Sequence, residues 1–179
     1  MRVLSFCFVI LCCAEMHAQK FGTEEGNVSF KSDAELEMIS ASSSELRGLI
    51  DASTNNFAFS VAVRSFQGFN SALQREHFNE KYMETEKYPR ISFTGKIIEQ
   101  VDFDIDGTYE VRAKGELDVH GLKQTRIVRA TIAIENSVLN VDATFDVPLQ
   151  DHNISIPRIV NQKIATQIAV VVKAALRPQ

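Results

Sequence analysis

Between Tyr109 and Val147 the chain alternates apolar and polar residues in three successive runs, and the breaks between the runs are wide enough only for turns. Tyr109, Val111, Ala113, Gly115, Leu117 and Val119 share one face, against Glu110, Arg112, Lys114, Glu116 and Asp118 on the other. A period of two places the first set in a core and the second in water. His120-Gly121, followed by Lys123-Gln124, turns the chain; Val128, Ala130, Ile132 and Ile134 then face inward. Asn136-Ser137 turns it again, ahead of Leu139, Val141, Ala143, Phe145 and Val147. Parallel pairing needs a crossover of a dozen residues or more, so these strands must pair antiparallel.

The same period recurs in Phe57 to Val63, where large residues alternate with Ala58, Ser60 and Ala62, and again in Ile91 to Ile97. Asn55-Asn56 supplies a turn before the first of these, and Asp106-Gly107 reads as the strongest hairpin turn in the chain. A short strand is expected around Val28 to Lys31, while Ala34 to Asp51 fits either two short strands or one strand and a helical turn. The last segment, Lys163 to Leu176, sets Ile164, Ile168, Val170, Val172, Ala174 and Leu176 on one face. A strand of that length spans roughly 46 Å if straight and must bend, as barrel strands do. The expected fold is therefore all-β, a closed antiparallel barrel of about eight strands, a size able to hold one small ligand.

One stretch breaks the alternation. Ser65 to Gly95 turns helical before alternation resumes, with a capping box at Ser71-Ala72-Leu73-Gln74 and a short helix expected over Ser71–Tyr82. In that box the Ser71 hydroxyl accepts from the third helical amide and Gln74 returns a bond to the Ser71 amide. Pro89 stops any continuation. An insert of this kind covers or plugs an open barrel end, which makes it the gate to any interior site.

The first 18 residues read as a secretory signal: Arg2, an apolar run from Val3 to Cys13, then small and polar residues with cleavage expected between Ala18 and Gln19. The run is too short for a bilayer, which takes about 20 residues, and no other stretch approaches that length. Residues 19–179 are then a single domain in the periplasm or secreted. Acylation at Cys12 or Cys13 is disfavoured, because the preceding residue, Leu11 or Cys12, is not the small one such sites use. All three cysteines (Cys7, Cys12, Cys13) lie in this leader, so the mature chain is left without disulfide, thiolate nucleophile or Cys-ligated metal. A net charge of −4 with only scattered cations (Lys123, Arg126, Arg129) argues against nucleic acid.

Several separated motifs carry a family resemblance. Phe69-Asn70-Ser71-Ala72-Leu73, Glu76-His77-Phe78-Asn79-Glu80 and Glu86-Lys87-Tyr88-Pro89 lead to Phe93-x-Gly95; Gly115-Glu116-Leu117 precedes His120-Gly121; Phe145-Asp146-Val147-Pro148-Leu149 precedes Ile154-x-Ile156-Pro157. Together these resemble the YceI-like family from about Val28 to Leu176. The resemblance implies a lipocalin-like barrel outside the cytoplasm whose apolar lumen binds a polyisoprenoid or quinone-like lipid, with no cofactor and no catalysis, and a homodimer is compatible with it. Two departures stand at the rim: Asp118-Val119 where family members often have Thr and an aliphatic residue, and Gln124 where Thr is usual.

Of twelve phenylalanines, Phe6 and Phe8 lie in the leader. Phe57, Phe59, Phe66, Phe69, Phe78, Phe93 and Phe145, with Leu73, Val111, Leu117, Ile132, Ile168 and Val170, are the candidate lumen wall. An ordinary filled core is the competing use of the same residues. That alternative describes an envelope stress or interaction protein whose outer surface meets a protein partner. Asp102-x-Asp104-x-Asp106-Gly107 reproduces half of a calcium loop, but its closing position is Ala113 and its flanks alternate as strands. His77, His120 and His152 have no metal-ligand spacing, and no G-x-S-x-G or Ser-His-Asp arrangement supports hydrolysis.

Overall fold

His120 and Gly121 both hold positive φ, 53° and 73°, as do Asn136 and Ser137, 51° and 62°. Two consecutive left-handed residues make the hairpin turn whose twist matches that of its strands. In the computed structural model, which describes residues 19–179, these turns join β5 (Gly107–Val119), β6 (Leu122–Glu135) and β7 (Val138–Pro148). The others are β1 (Lys20–Asp33), β2 (Met38–Asp51), β3 (Asn56–Ala62), β4 (Arg90–Ile97) and β8 (Gln167–Pro178). Each strand pairs antiparallel with its chain neighbours, and β8 returns to β1. The fold is a closed, eight-stranded up-and-down barrel. The expected leader lies outside the described residues.

β1 and β2 are each 14 residues long, far more than their alternation suggested. The pattern fails in β1 because its register slips around Gly26, a bulge carrying the polar Glu24-Glu25 run. In β2 it fails because Ser43 faces inward: its buried hydroxyl lies 2.6 Å from the Ser65 hydroxyl. β8 begins at Gln167, four residues after the sequence-based start, since Lys163 still belongs to a turn that closes on the Val160 carbonyl at 2.9 Å.

Asp106-Gly107 is not the hairpin turn its composition suggests. Neither residue has positive φ, and Gly107 is the first residue of β5, so residues 98–106 form a longer connection. That loop exists to carry Phe103 under the barrel, where its ring lies 5.9 Å from Phe21. Phe21, Phe103, Ile50, Ile134, Leu139 and Leu176 are all buried and seal this end. The aspartates hold the loop. The Asp102 carboxylate accepts from the Asp104 amide at 3.1 Å and Asp106 from the Asn136 amide at 3.3 Å. Glu99 accepts from the Arg112 amide and Nε at 2.6 and 2.7 Å, which holds its carboxyl below the usual range.

At the other end lie the β1–β2 loop, the long β3–β4 insert and the β7–β8 connection. The insert leaves β3 through a 3-10 turn at Val63–Ser65 and pairs Gln67 with Ser42 by two 2.8 Å backbone bonds, covering the part of β2 that outruns β3. α1 (Ala72–His77) follows, then a π-helical turn over Phe78–Tyr82 closed by the Met83 amide on the Phe78 carbonyl. The continuous helix read from sequence is thus split, because the wider π turn swings Phe78 and Tyr82 toward the barrel. Ser71 caps α1 by accepting from the Gln74 amide at 3.2 Å. The return bond differs from expectation: Gln74 Oε1 accepts from the Asn70 amide at 3.1 Å, not from that of Ser71. Ser71→Ala should cost about 1 kcal/mol locally, read as faster amide exchange over 72–77 with strand protection unchanged.

Candidate functional site

The barrel interior is not filled. Above the Phe21–Phe103 seal lies a cavity of about 530 Å³, within the roughly 300–1,000 Å³ range of small-molecule sites. Its wall comes from all eight strands and from the insert. Twelve of the thirteen residues read from sequence as the lumen wall do line it: Phe57, Phe59, Phe66, Phe69, Phe78, Phe93, Val111, Leu117, Ile132, Phe145, Ile168 and Val170. Leu73 does not. It is 58 % exposed, on a flank of α1 turned to solvent, while Gln74, His77 and the following Phe78 line the cavity.

Register explains how the rings are placed. Phe59 and Phe93 are direct cross-strand partners, and the Phe57 ring lies 4.9 Å from Phe93. Phe59 lies over Gly48, where a Cβ would run into its ring. At the upper end Phe30 stacks on Phe78 at 5.4 Å and meets Phe66 and Phe69 at 5.4 and 5.9 Å. Sequence reasoning passed over Phe30, although its alternation with Val28 was visible. Ala113, Ala130 and Ala143, read from sequence as inward-facing but outside the candidate wall, also line the cavity at neighbouring positions of β5, β6 and β7. Small residues on an otherwise bulky inward face are the signal that could have found them.

Part of the upper end is closed by Val63, Met83, Leu117, Val119, Val147 and Ile154, packed under the β5–β6 hairpin. Besides Ser32, Ser60 and Ser92 on the strands, the polar wall residues gather beside it, on the β1–β2 loop, the insert and the β7–β8 connection: Glu37, Gln74, His77, Tyr82 and Lys163. These mark the mouth. Gln74 Nε2 donates to Glu37 at 2.6 Å, and Lys81 Nζ lies 3.2 Å from His77 Nε2. Burial raises the pKa of the Tyr82 phenol above its ordinary value.

His120 and His152 serve the scaffold. His120 Nε2 lies 2.7 Å from the Glu84 carboxylate and its Nδ1 3.1 Å from the His152 carbonyl, while its ring meets Tyr88 edge-on at 4.7 Å. The fully buried His152 donates from Nδ1 to the Leu122 carbonyl at 3.1 Å. This chain of contacts pins the end of the insert to the β5–β6 turn. Among the described residues no group of three or more His, Asp or Glu side chains is placed to hold a metal ion, and no helix is long and apolar enough to cross a membrane.

The family model described as a YceI-like domain matches residues 15–176. The chain belongs to the YceI-like family. No curated protein matches it. Among solved structures, a polyisoprenoid binding domain from Saccharophagus degradans, implicated in plant cell wall breakdown, is similar at TM-score 0.75 and 14% identity, covering 90% of this chain and 99% of that one. BcnA of Burkholderia cenocepacia is similar at TM-score 0.69 and 14% identity, covering 84% and 95%. A YceI protein of Campylobacter jejuni follows at TM-score 0.56 and 11% identity, covering 99% and 93%. At these identities the likeness is one of fold alone.

Proposed function

We propose that this YceI-like protein binds an isoprenoid or quinone-like lipid in its barrel and stores or carries it outside the cytoplasm without transforming it. The observation that carries this reading is the cavity itself: apolar along the barrel, sealed at one end by Phe21 and Phe103, and polar only toward the other. Such a shape suits a molecule with a long apolar tail and a small polar end. Removal of apolar surface from water, about 25 cal/mol per Å², supplies the affinity without a polar contact to the tail. The polyisoprenoid named for the Saccharophagus degradans domain supports the isoprenoid class. The leader-like first 18 residues support a site of action beyond the cytoplasmic membrane.

Catalysis has no place in this reading, because the strand-borne wall supplies no acid, base or nucleophile pair facing the tail. A barrel with an unfilled interior also supports a carrier over an interaction protein with a packed core. Native mass spectrometry of protein purified from its own source, followed by lipid extraction, tests the proposal. One apolar ligand per chain with an isoprenoid fragmentation pattern is the expected result. Protein that is consistently empty, and that takes up no long-chain isoprenoid when offered one, overturns it.

A further inference from the structure

The mouth of the cavity is ringed by large apolar side chains that point into water. Leu36 in the β1–β2 loop is 64 % exposed, Leu73 in α1 58 % and Ile159 in the β7–β8 connection 92 %, with Met38 at 56 % beside them. Each adjoins a residue of the cavity wall: Leu36 and Met38 flank Glu37, Leu73 precedes Gln74, and Ile159 precedes Val160. The three segments are also tied together. The Leu36 amide donates to the Gln162 carbonyl at 2.8 Å, Gln74 to Glu37 at 2.6 Å, and Asn70 Nδ2 to the Met38 carbonyl at 3.0 Å. These bonds brace the three segments that carry the exposed apolar side chains into one frame around the mouth. The other exposed large hydrophobics, Leu49, Ile98, Ile105 and Ile127, lie on the outer wall or at the sealed end.

We propose that this rim docks on a phospholipid bilayer and that ligand passes between bilayer and barrel through the mouth while the rim is seated. This rests on the lipid-binding reading above, since a water-insoluble ligand must come from a phase that holds it. Two features favour a bilayer as the occupant. The rim side chains stand next in sequence to wall residues of the mouth, Glu37, Gln74 and Val160, so whatever covers the rim also covers the ligand's path. Its charge is nearly balanced: residues 33–38, 69–83 and 157–166 carry five carboxylates and four Lys or Arg. A surface of that kind suits a zwitterionic interface entered by apolar side chains, not a strongly charged partner.

The test compares wild type, the rim variant Leu73→Asp/Ile159→Asp and the wall variant Ile127→Asp, whose residue is as exposed as Leu73. All three substituted positions are solvent-exposed, so matched far-UV circular dichroism and urea midpoints are expected. Flotation with phosphatidylcholine vesicles should show wild type and Ile127→Asp partitioning alike, and the rim variant at least tenfold less. Transfer of a fluorescent long-chain isoprenoid alcohol from those vesicles should slow at least tenfold in the rim variant alone. Uptake of the same probe delivered from ethanol should be equal in all three. Equal vesicle partition and equal transfer by wild type and rim variant overturn the docking surface, as does an equal loss in Ile127→Asp. Absence of ethanol-delivered uptake in wild type instead overturns the lipid reading, while flotation still judges the docking.

Discussion

Gly95→Val is expected to lower the unfolding free energy by about 3 kcal/mol or more, enough to leave much of the chain unfolded at physiological temperature. Gly95 in β4 sits directly opposite Gly115 in β5, both on the inward side of the barrel. A Cβ on Gly95 would collide with the Lys114 carbonyl and the Gly115 Cα, and one on Gly115 with the Thr94 carbonyl. Every colliding atom is backbone, so no side chain can swing aside. The two strands would have to part where the closed barrel needs them continuous. Gly107→Ala is the matched control. Its Cβ would meet only the Tyr109 ring at 3.7 Å, an ordinary contact, and the change should stay within about 0.5 kcal/mol. Urea denaturation followed by circular dichroism distinguishes the two, and equal midpoints would remove the backbone-contact argument.

The second large effect is on binding. Ala143→Phe should weaken uptake of a long-chain isoprenoid probe by about 100-fold while stability stays within about 1 kcal/mol of wild type or rises. Ala143 lies between Ala130 on β6 and Val172 on β8, and all three line the cavity. A phenyl ring here enters space the fold leaves empty, so it blocks the tail without the strain that overpacking brings to a full core. Substituting a large aromatic such as Phe93 would confound the two readouts, since Phe93 also packs on Phe57 and is Phe59's cross-strand partner. Probe titration and urea denaturation on the same sample decide the matter. Full uptake with lowered stability would mean that the tail does not occupy this level of the barrel.

Particular elements show where sequence reasoning reached and where it stopped. The β5–β6–β7 meander was fully legible, because clean alternation and the His120-Gly121 and Asn136-Ser137 turns are both local properties. β1 and β2 were only partly legible, since a bulge at Gly26 and inward serines satisfied by distant partners, Ser43 by Ser65 and Ser32 by the Ala165 amide, disguise the period. Asp106-Gly107 misled for the opposite reason. Its composition suits a tight turn, but the barrel end needed Phe103 beneath it, and a longer loop supplied that plug. Leu73 misled because a six-residue helix has too few turns for its buried face to show.

Alternation with a period of two, short turns and the spread of inward residues are read along the chain, and they were enough to determine an antiparallel barrel with an apolar inner face. Whether that face encloses a filled core or a cavity depends on which residues meet across strands distant in sequence. The stacking of Phe30 on Phe78, 48 positions away, and the meeting of Gly95 with Gly115 are such pairings. The same holds for the mouth, where Leu36, Leu73 and Ile159 come together only through the closure of β8 on β1 and the bracing of three separate loops. Periodicity sets the side of the wall on which a residue falls; only closure of the barrel decides its neighbours, and hence the empty space between them.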